Sequence, residues 1–271
     1  MTGGLSRKTV REIWAAVVFL GAGLFAFQIA VALTNPLFQK DITTDWLHVK
    51  FIQNILTAFL GAEVGTVFGP SIMNVMVWAH PITLALAWAY ALTAFTRLPA
   101  GEIDRGTIDV LLGLPLRRGA IYLHESLIAA LGGWVVVGSA LLGHRLGDGF
   151  SGAENGYGFG AALTVAANLY FLLVAVAGLA SLLSALCDRR GRAVGISLAI
   201  LVSSFFMSSF APFNAVIKRM SVVSLINYYR PFKILEGGEF PLIDFVVLAV
   251  VAIVLWLLGL LVFSRRDIRT S

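Results

Sequence analysis

Residues 159–192 read FGAALTVAANLYFLLVAVAGLASLLSALCDRRGR. No charged residue falls between Phe159 and Leu186, and four follow within six positions: Asp188, Arg189, Arg190 and Arg192. A helix needs about 20 mainly apolar residues to cross about 30 Å of hydrocarbon. This stretch exceeds that, and its arginine-rich end resists translocation, which pins the following turn to the cytoplasmic side.

Working outward, five further stretches meet the same length criterion. The expected spans are 14–34, 72–96, 122–143, 159–186, 193–213 and 242–263. With both termini cytoplasmic, the inner segments hold Arg7, Lys8, Arg11, Arg97, Arg105, Arg117, Arg118, Arg189, Arg190, Arg192, Arg265, Arg266 and Arg269. That is 13 of the 20 basic residues; Lys40, Lys50, Arg145, Lys218, Arg219, Arg230 and Lys233 fall outside. The reading is an all-α polytopic protein of six transmembrane helices, one domain over 1–271, in a plasma or bacterial inner membrane.

Composition agrees. The chain is 58% hydrophobic and 13% charged, where soluble domains are about 25% charged. The net charge of +5 is split among short clusters between apolar runs, so it reads as a topology signal and not as a nucleic-acid surface. One cysteine, Cys187, excludes an internal disulfide framework. Residues 14–34 exceed the core of a signal peptide and read as a retained span. Residues 51–69, with Gly61, Gly65 and Gly69 at four-residue spacing around Glu63, suit an outer or re-entrant helix, with a seventh span as the alternative. Residues 147–158 read as a glycine-rich outer turn, and the stretch around Tyr228 to Pro231 as an interfacial helix.

Between spans 2 and 3, residues 97–125 read RLPAGEIDRGTIDVLLGLPLRRGAIYLHE. On a helix over 102–114, Glu102, Arg105 and Asp109 share one face with Gly106 and Gly113 beside them. Pro115 ends it, and Arg117 and Arg118 follow. A face made only for anionic lipid would be uniformly basic; a narrow face of mixed sign suits a protein groove.

Glu102, Gly106-Thr107, the leucine run, Leu114-Pro115 and Arg117-Arg118 resemble the signature of type-2 permeases of ATP-binding-cassette transporters. The closing Leu258-Gly259-Leu260 with Arg265-Arg266-Asp267, and Tyr228 to Pro231, are similar to that family's last helix and outer segment. The resemblance implies that 102–114 is a coupling helix resting on a separate cytoplasmic ATPase, with Glu102, Arg105, Gly106, Thr107, Asp109, Pro115, Arg117 and Arg118 as the contact set. It also implies an elbow helix at Leu5 to Ile13 along the inner surface, and a second permease copy or homologue as partner. Where the family often has a lysine at the start of span 3, this chain has Glu125.

The sequence carries no glycine-rich phosphate loop of the right spacing; Gly3 to Thr9 is the nearest run. No catalytic residue, metal or cofactor is expected in this chain, and ATP and Mg²⁺ belong to the partner. Asn74, His80, Phe205, Phe206, Met207 and Phe210 are candidate pathway residues, against the simpler reading of packing or lipid-facing side chains. His80-Pro81 is expected to kink span 2. The alternative function is an ion-coupled carrier acting alone, which the scarcity of charge in the spans disfavours. A third is an intramembrane serine protease, for which Gly149-Phe150-Ser151-Gly152 is the motif and His80 the histidine placed within a span.

Overall fold

The computed structural model describes residues 2–42, 72–151, 157–235, 238 and 240–267. The expected helix at 51–69 lies outside them. All regular structure among the described residues is helical. Five helices are long and apolar enough to cross a membrane, within Gly3–Thr34, Arg118–Ser151, Phe159–Leu186, Arg190–Phe213 and Leu242–Arg265.

In chain order, α1 is Thr2–Ile42, α2 Ile72–Ala79, α3 Pro81–Phe95, α4 Glu102–Asp104, α5 Ile108–Leu112, α6 Arg118–Ser151, α7 Phe159–Leu186 and α8 Arg190–Phe210. Then follow α9 Ala215–Met220, α10 Pro231–Leu235 and α11 Leu242–Arg265. α7 is the hub. It packs along α11 and also meets α3, α6 and α8, while α1 lies along α6. Val165, Leu169, Leu172, Leu173 and Val176 of α7 are fully buried in the main core. A helix apolar all round belongs in such a position.

The expected span 72–96 is two helices. His80 has φ −61° and ψ 137°, and its Nδ1 accepts from the Ile82 N–H at 3.2 Å, capping α3. Proline disfavours helical geometry in the residue before it but is pre-shaped for the first helical position. The chain therefore breaks here, where the sequence suggested only a kink.

The expected elbow is likewise replaced by a continuation. α1 runs unbroken through residues 5–13 because Leu5, Thr9 and Ile13 form one buried stripe against the bundle. The expected turn at 147–158 begins later, since α6 persists to Ser151.

The stretch around Tyr228 to Pro231 corrects a further expectation. Tyr229 is buried and donates to the Trp78 carbonyl at 3.0 Å. Fully buried Asn168 of α7 donates to the Tyr228 carbonyl (3.3 Å) and accepts from the Arg230 N–H (2.9 Å). The stretch 225–230 is thus drawn into the bundle, where Asn168 supplies the partners that lipid cannot.

Two glycines set the closest helix approaches. A Cβ on Gly143 of α6 would stand 2.4 Å from the Phe25 carbonyl of α1, and one on Gly178 of α7 2.7 Å from the Ala252 carbonyl of α11. Both neighbours are backbone and cannot swing aside, so small residues are required. Gly178→Val is expected to cost about 1–3 kcal/mol of stability by overpacking, read as a lower thermal transition in detergent. An unchanged transition would show that α7 and α11 are free to separate.

Candidate functional site

The candidate site is the end of the bundle where α1 begins, α4 and α5 lie, and α11 ends. Glu102 is 2% exposed, a costly place for a carboxylate without donors. Three residues answer it. Lys8 Nζ of α1 and Arg105 Nη2 each donate to its Oε1 at 2.8 Å, and Thr107 Oγ1 donates to its Oε2. Burial raises the Glu102 pKa, but hydrogen bonds from Lys8 and Thr107, with the charges of Lys8 and Arg105, outweigh it and hold the carboxyl below its ordinary value.

A second buried charge stands next to the first. Arg97, 5% exposed, pairs with Glu12 of α1 and Glu125 of α6. Thr9 Oγ1 also donates to Glu125 Oε1 at 2.9 Å. Burial lowers the Arg97 pKa while Glu125 and Glu102 raise it, and the net direction is down. Position 125 is therefore an acidic partner of Arg97 inside the assembly. Lys8 joins the two groups, contacting both Glu12 (3.1 Å) and Glu102.

The segment is not one helix over 102–114. α4 and α5 are separated by Gly106 at φ +69°, a left-handed conformation that side chains resist. The Thr107 N–H reaches back to the Glu102 carbonyl at 2.9 Å and closes the turn. Gly106 is thus a hinge residue, where the helical reading made it part of a face. Ile108 and Leu111 face inward onto Leu5, Ile121, Tyr122 and Phe263. Arg105, Gly106, Thr107, Asp109, Pro115 and Arg117 are exposed, Arg118 is half-buried, and Val110 is 75% exposed. Glu102 leaves the expected contact face and becomes its internal anchor. A cavity of about 490 Å³ opens beside it, lined by Leu5, Lys8, Val110, Leu111 and Leu114 among others.

The C-terminal end of α11 joins the same end of the molecule. Arg266 Nη1 donates to the Ala185 carbonyl at the end of α7 (2.8 Å), and its Nη2 pairs with Asp188. Arg118 donates to the Arg266 carbonyl at 2.8 Å. Cations at helix C-termini satisfy the last carbonyls and complement the dipole. The arginines flanking the spans are thereby brought to one level.

The candidate pathway residues do not gather. His80 meets Phe27 of α1 with the rings tilted and their centroids 5.0 Å apart. Phe206 meets Phe205 and Phe210 along α8, with Phe206 and Phe210 exposed and Met207 half-buried. Asn74 lies on α2, and its side chain is outside the described residues. Ser151 Oγ donates to the Asp148 carbonyl at 3.1 Å, and the histidine on its own helix, His144, faces Asp148. No serine–histidine pair forms there.

The sequence reading missed His144 and Asp148. Both are buried in α6, and Nε2 stands 3.4 Å from Oδ2. The spacing i, i+4 was a legible signal, hidden by ending the span at residue 143. It also missed Lys8, Thr9, Glu12, Arg97 and Glu125 as one network with Glu102, because their spacing in sequence is long-range.

Glu102→Gln is expected to keep the shape but loosen the hold on residues 97–118, by about 1–3 kcal/mol as charge-assisted bonds weaken. The reading is faster hydrogen exchange in that segment than in α7. Because the folded pKa is depressed, the Glu102 contribution is complete above its ordinary value and declines as pH falls below about 4.5, a loss the variant should not show.

No curated protein matches the chain. Residues 50–264 match the family model described as multidrug efflux system permease Rv1217c, C-terminal domain. With that match covering most of its length and its apolar helices able to cross a membrane several times, the chain belongs to this family of membrane permeases.

Proposed function

We propose that this chain is the membrane-spanning subunit of an exporter of the type-2 ATP-binding-cassette class, driven by a separate cytoplasmic ATPase. The observation that carries the proposal is the segment 104–117. Its apolar side is seated on the bundle, its outer side presents Asp109, Val110 and Leu114, and its root is clamped to α1 through Glu102. A pushed surface with a rigid root is what a lever requires. Energy can then arrive by contact, because a partner that binds two states of the bundle unequally shifts their balance.

Several features support the rest of the reading. The family description names multidrug efflux, which favours export. α2 and α3 in tandem, broken at His80, supply a sixth crossing between α1 and α6. The clustered arginines at the Glu102 end favour the cytoplasm for that end and for both termini. A second copy or homologous permease would complete the pathway.

The test is affinity purification of the full chain from membranes, followed by identification of any co-purifying chain with a phosphate-binding loop and by its ATP hydrolysis. Val110→Arg places a charge on the exposed side and touches none of the Glu102 bonds. It is expected to cut the recovered ATPase about tenfold, the effect of 1.4 kcal/mol. Full recovery with Val110→Arg would overturn the lever.

One observation favours the ion-coupled carrier as second reading, namely the buried His144–Asp148 pair, since ionisable groups inside a bundle commonly serve proton movement. On that reading, purified chain in vesicles takes up or expels a lipophilic dye under an imposed pH gradient without ATP, and Asp148→Asn abolishes it. Absence of gradient-driven movement would remove the carrier.

A further inference from the structure

α3 and α8 stand side by side without closing on each other, and a groove of about 650 Å³ runs between them. Ala85, Trp88 and Leu92 of α3 form one wall, and Val194, Leu198 and Val202 of α8 the other. These positions repeat at helical spacing, so each wall is one face of its helix. The polar lining gathers at one end, where Thr93, Asp104 and Arg190 meet.

The length of the groove is informative. From Arg190 to Val202 the rise along α8 is about 18 Å. Half of a hydrocarbon core is about 15 Å. The groove thus matches one leaflet in depth, with its charged end at the level of headgroups.

Arg190 is held there by two bonds, Nε to Thr96 Oγ1 at 3.2 Å and Nη2 to the Thr93 carbonyl at 2.8 Å. A guanidinium has five donors, so most remain for a ligand. Asp104 offsets part of the charge and Arg105 is taken up by Glu102, but Arg189 and Arg192, exposed beside Arg190 in the chain, leave an excess of cation. Deeper in the groove, Trp88 is 7% exposed and its indole N–H makes no hydrogen bond among the described residues.

We propose that this groove is a binding site for an anionic phospholipid, with the phosphate on Arg190 and one acyl chain laid between α3 and α8. Guanidinium matches phosphate in geometry and is favoured for it. Basic clusters at the membrane surface draw anionic lipid towards them. The apolar walls suit a chain, since the Trp88 indole N–H is buried within the wall and the exposed polar lining gathers at the Arg190 end. The inference is independent of which energy source drives the permease.

The full chain is prepared with Trp88 as its sole tryptophan and placed in phosphatidylcholine vesicles containing a bromine-labelled lipid that quenches tryptophan. The label is carried either on phosphatidylglycerol or on phosphatidylcholine, at the same bromine content. The expected result is about a fivefold preference for the phosphatidylglycerol quencher, lost in Arg190→Gln. The protein with all its tryptophans is examined in parallel by native mass spectrometry. Phosphatidylglycerol adducts should survive in the parent and disappear in Arg190→Gln, so the result does not depend on the tolerance of the tryptophan replacements. Equal quenching by the two lipids, or a preference unchanged in Arg190→Gln, overturns the proposal. So does absence of quenching by both, which would mean that a second copy of the chain fills the groove.

Discussion

A carboxylate taken out of water must be given donors, and Glu102 obtains them from places far apart in the chain. Lys8 comes from the first helix, while Arg105 and Thr107 come from its own turn. Without donors the group would cost several kcal/mol or take up a proton. Meeting that cost forces α1 to stand over α4 and forces the chain to turn at Gly106. Arg97 repeats the arrangement beside it, held between Glu12 and Glu125. These contacts are what give the segment 97–118 a fixed position on the bundle. A surface helix held only by Ile108 and Leu111 would have two anchoring side chains and freedom to slide.

The same arrangement explains why α1 is unbroken where the resemblance implies an elbow. An elbow helix lies on a membrane surface with its basic face to the headgroups. Here Lys8 and Glu12 are used on protein charges, and Leu5, Thr9 and Ile13 are used on protein packing. Little is left to hold the segment flat on lipid. The family match begins at residue 50, so all of α1 lies outside it. Lys8, Thr9 and Glu12 are nevertheless part of the site.

Apolar length made most of the fold legible in the sequence. Phe159–Leu186 and Leu242–Arg265 appear as helices nearly where hydropathy places them, because a long uncharged run in lipid has no other way to satisfy its backbone. Hydropathy was blind to what polar atoms do at long range. It took 72–96 as one span, although His80-Pro81 states locally that helical geometry stops at residue 80. It took 102–114 as one helix, because a glycine inside a helical pattern costs only about 1 kcal/mol and is usually tolerated. The decisive pull at Gly106 came from Thr107 reaching back to Glu102, which periodicity does not encode. The clasp of Asn168 on Tyr228 and Arg230 joins positions about sixty residues apart, which no local pattern encodes.

Buried polar groups therefore sit at two levels of this molecule, and they differ in kind. The Glu102 carboxylate is fully answered by two cations and a hydroxyl, and Arg97, although its Nε makes no hydrogen bond among the described residues, is held between two carboxylates, as a rigid support requires. The His144–Asp148 pair has no such surround: its two members face each other at 3.4 Å, and their side-chain nitrogens and oxygens make no hydrogen bond among the described residues. From Glu125 to His144 the rise along α6 is about 29 Å, so the unanswered pair lies far from the network on the same helix. A satisfied network resists change because any movement breaks several bonds at once. An unsatisfied pair gains by any movement that brings it water or a partner. α6 is thus fixed at its Glu125 end and poised at its His144 end. Movement of the bundle should be largest where α6 meets Trp78 and the break at His80, and smallest beneath the segment that carries Val110.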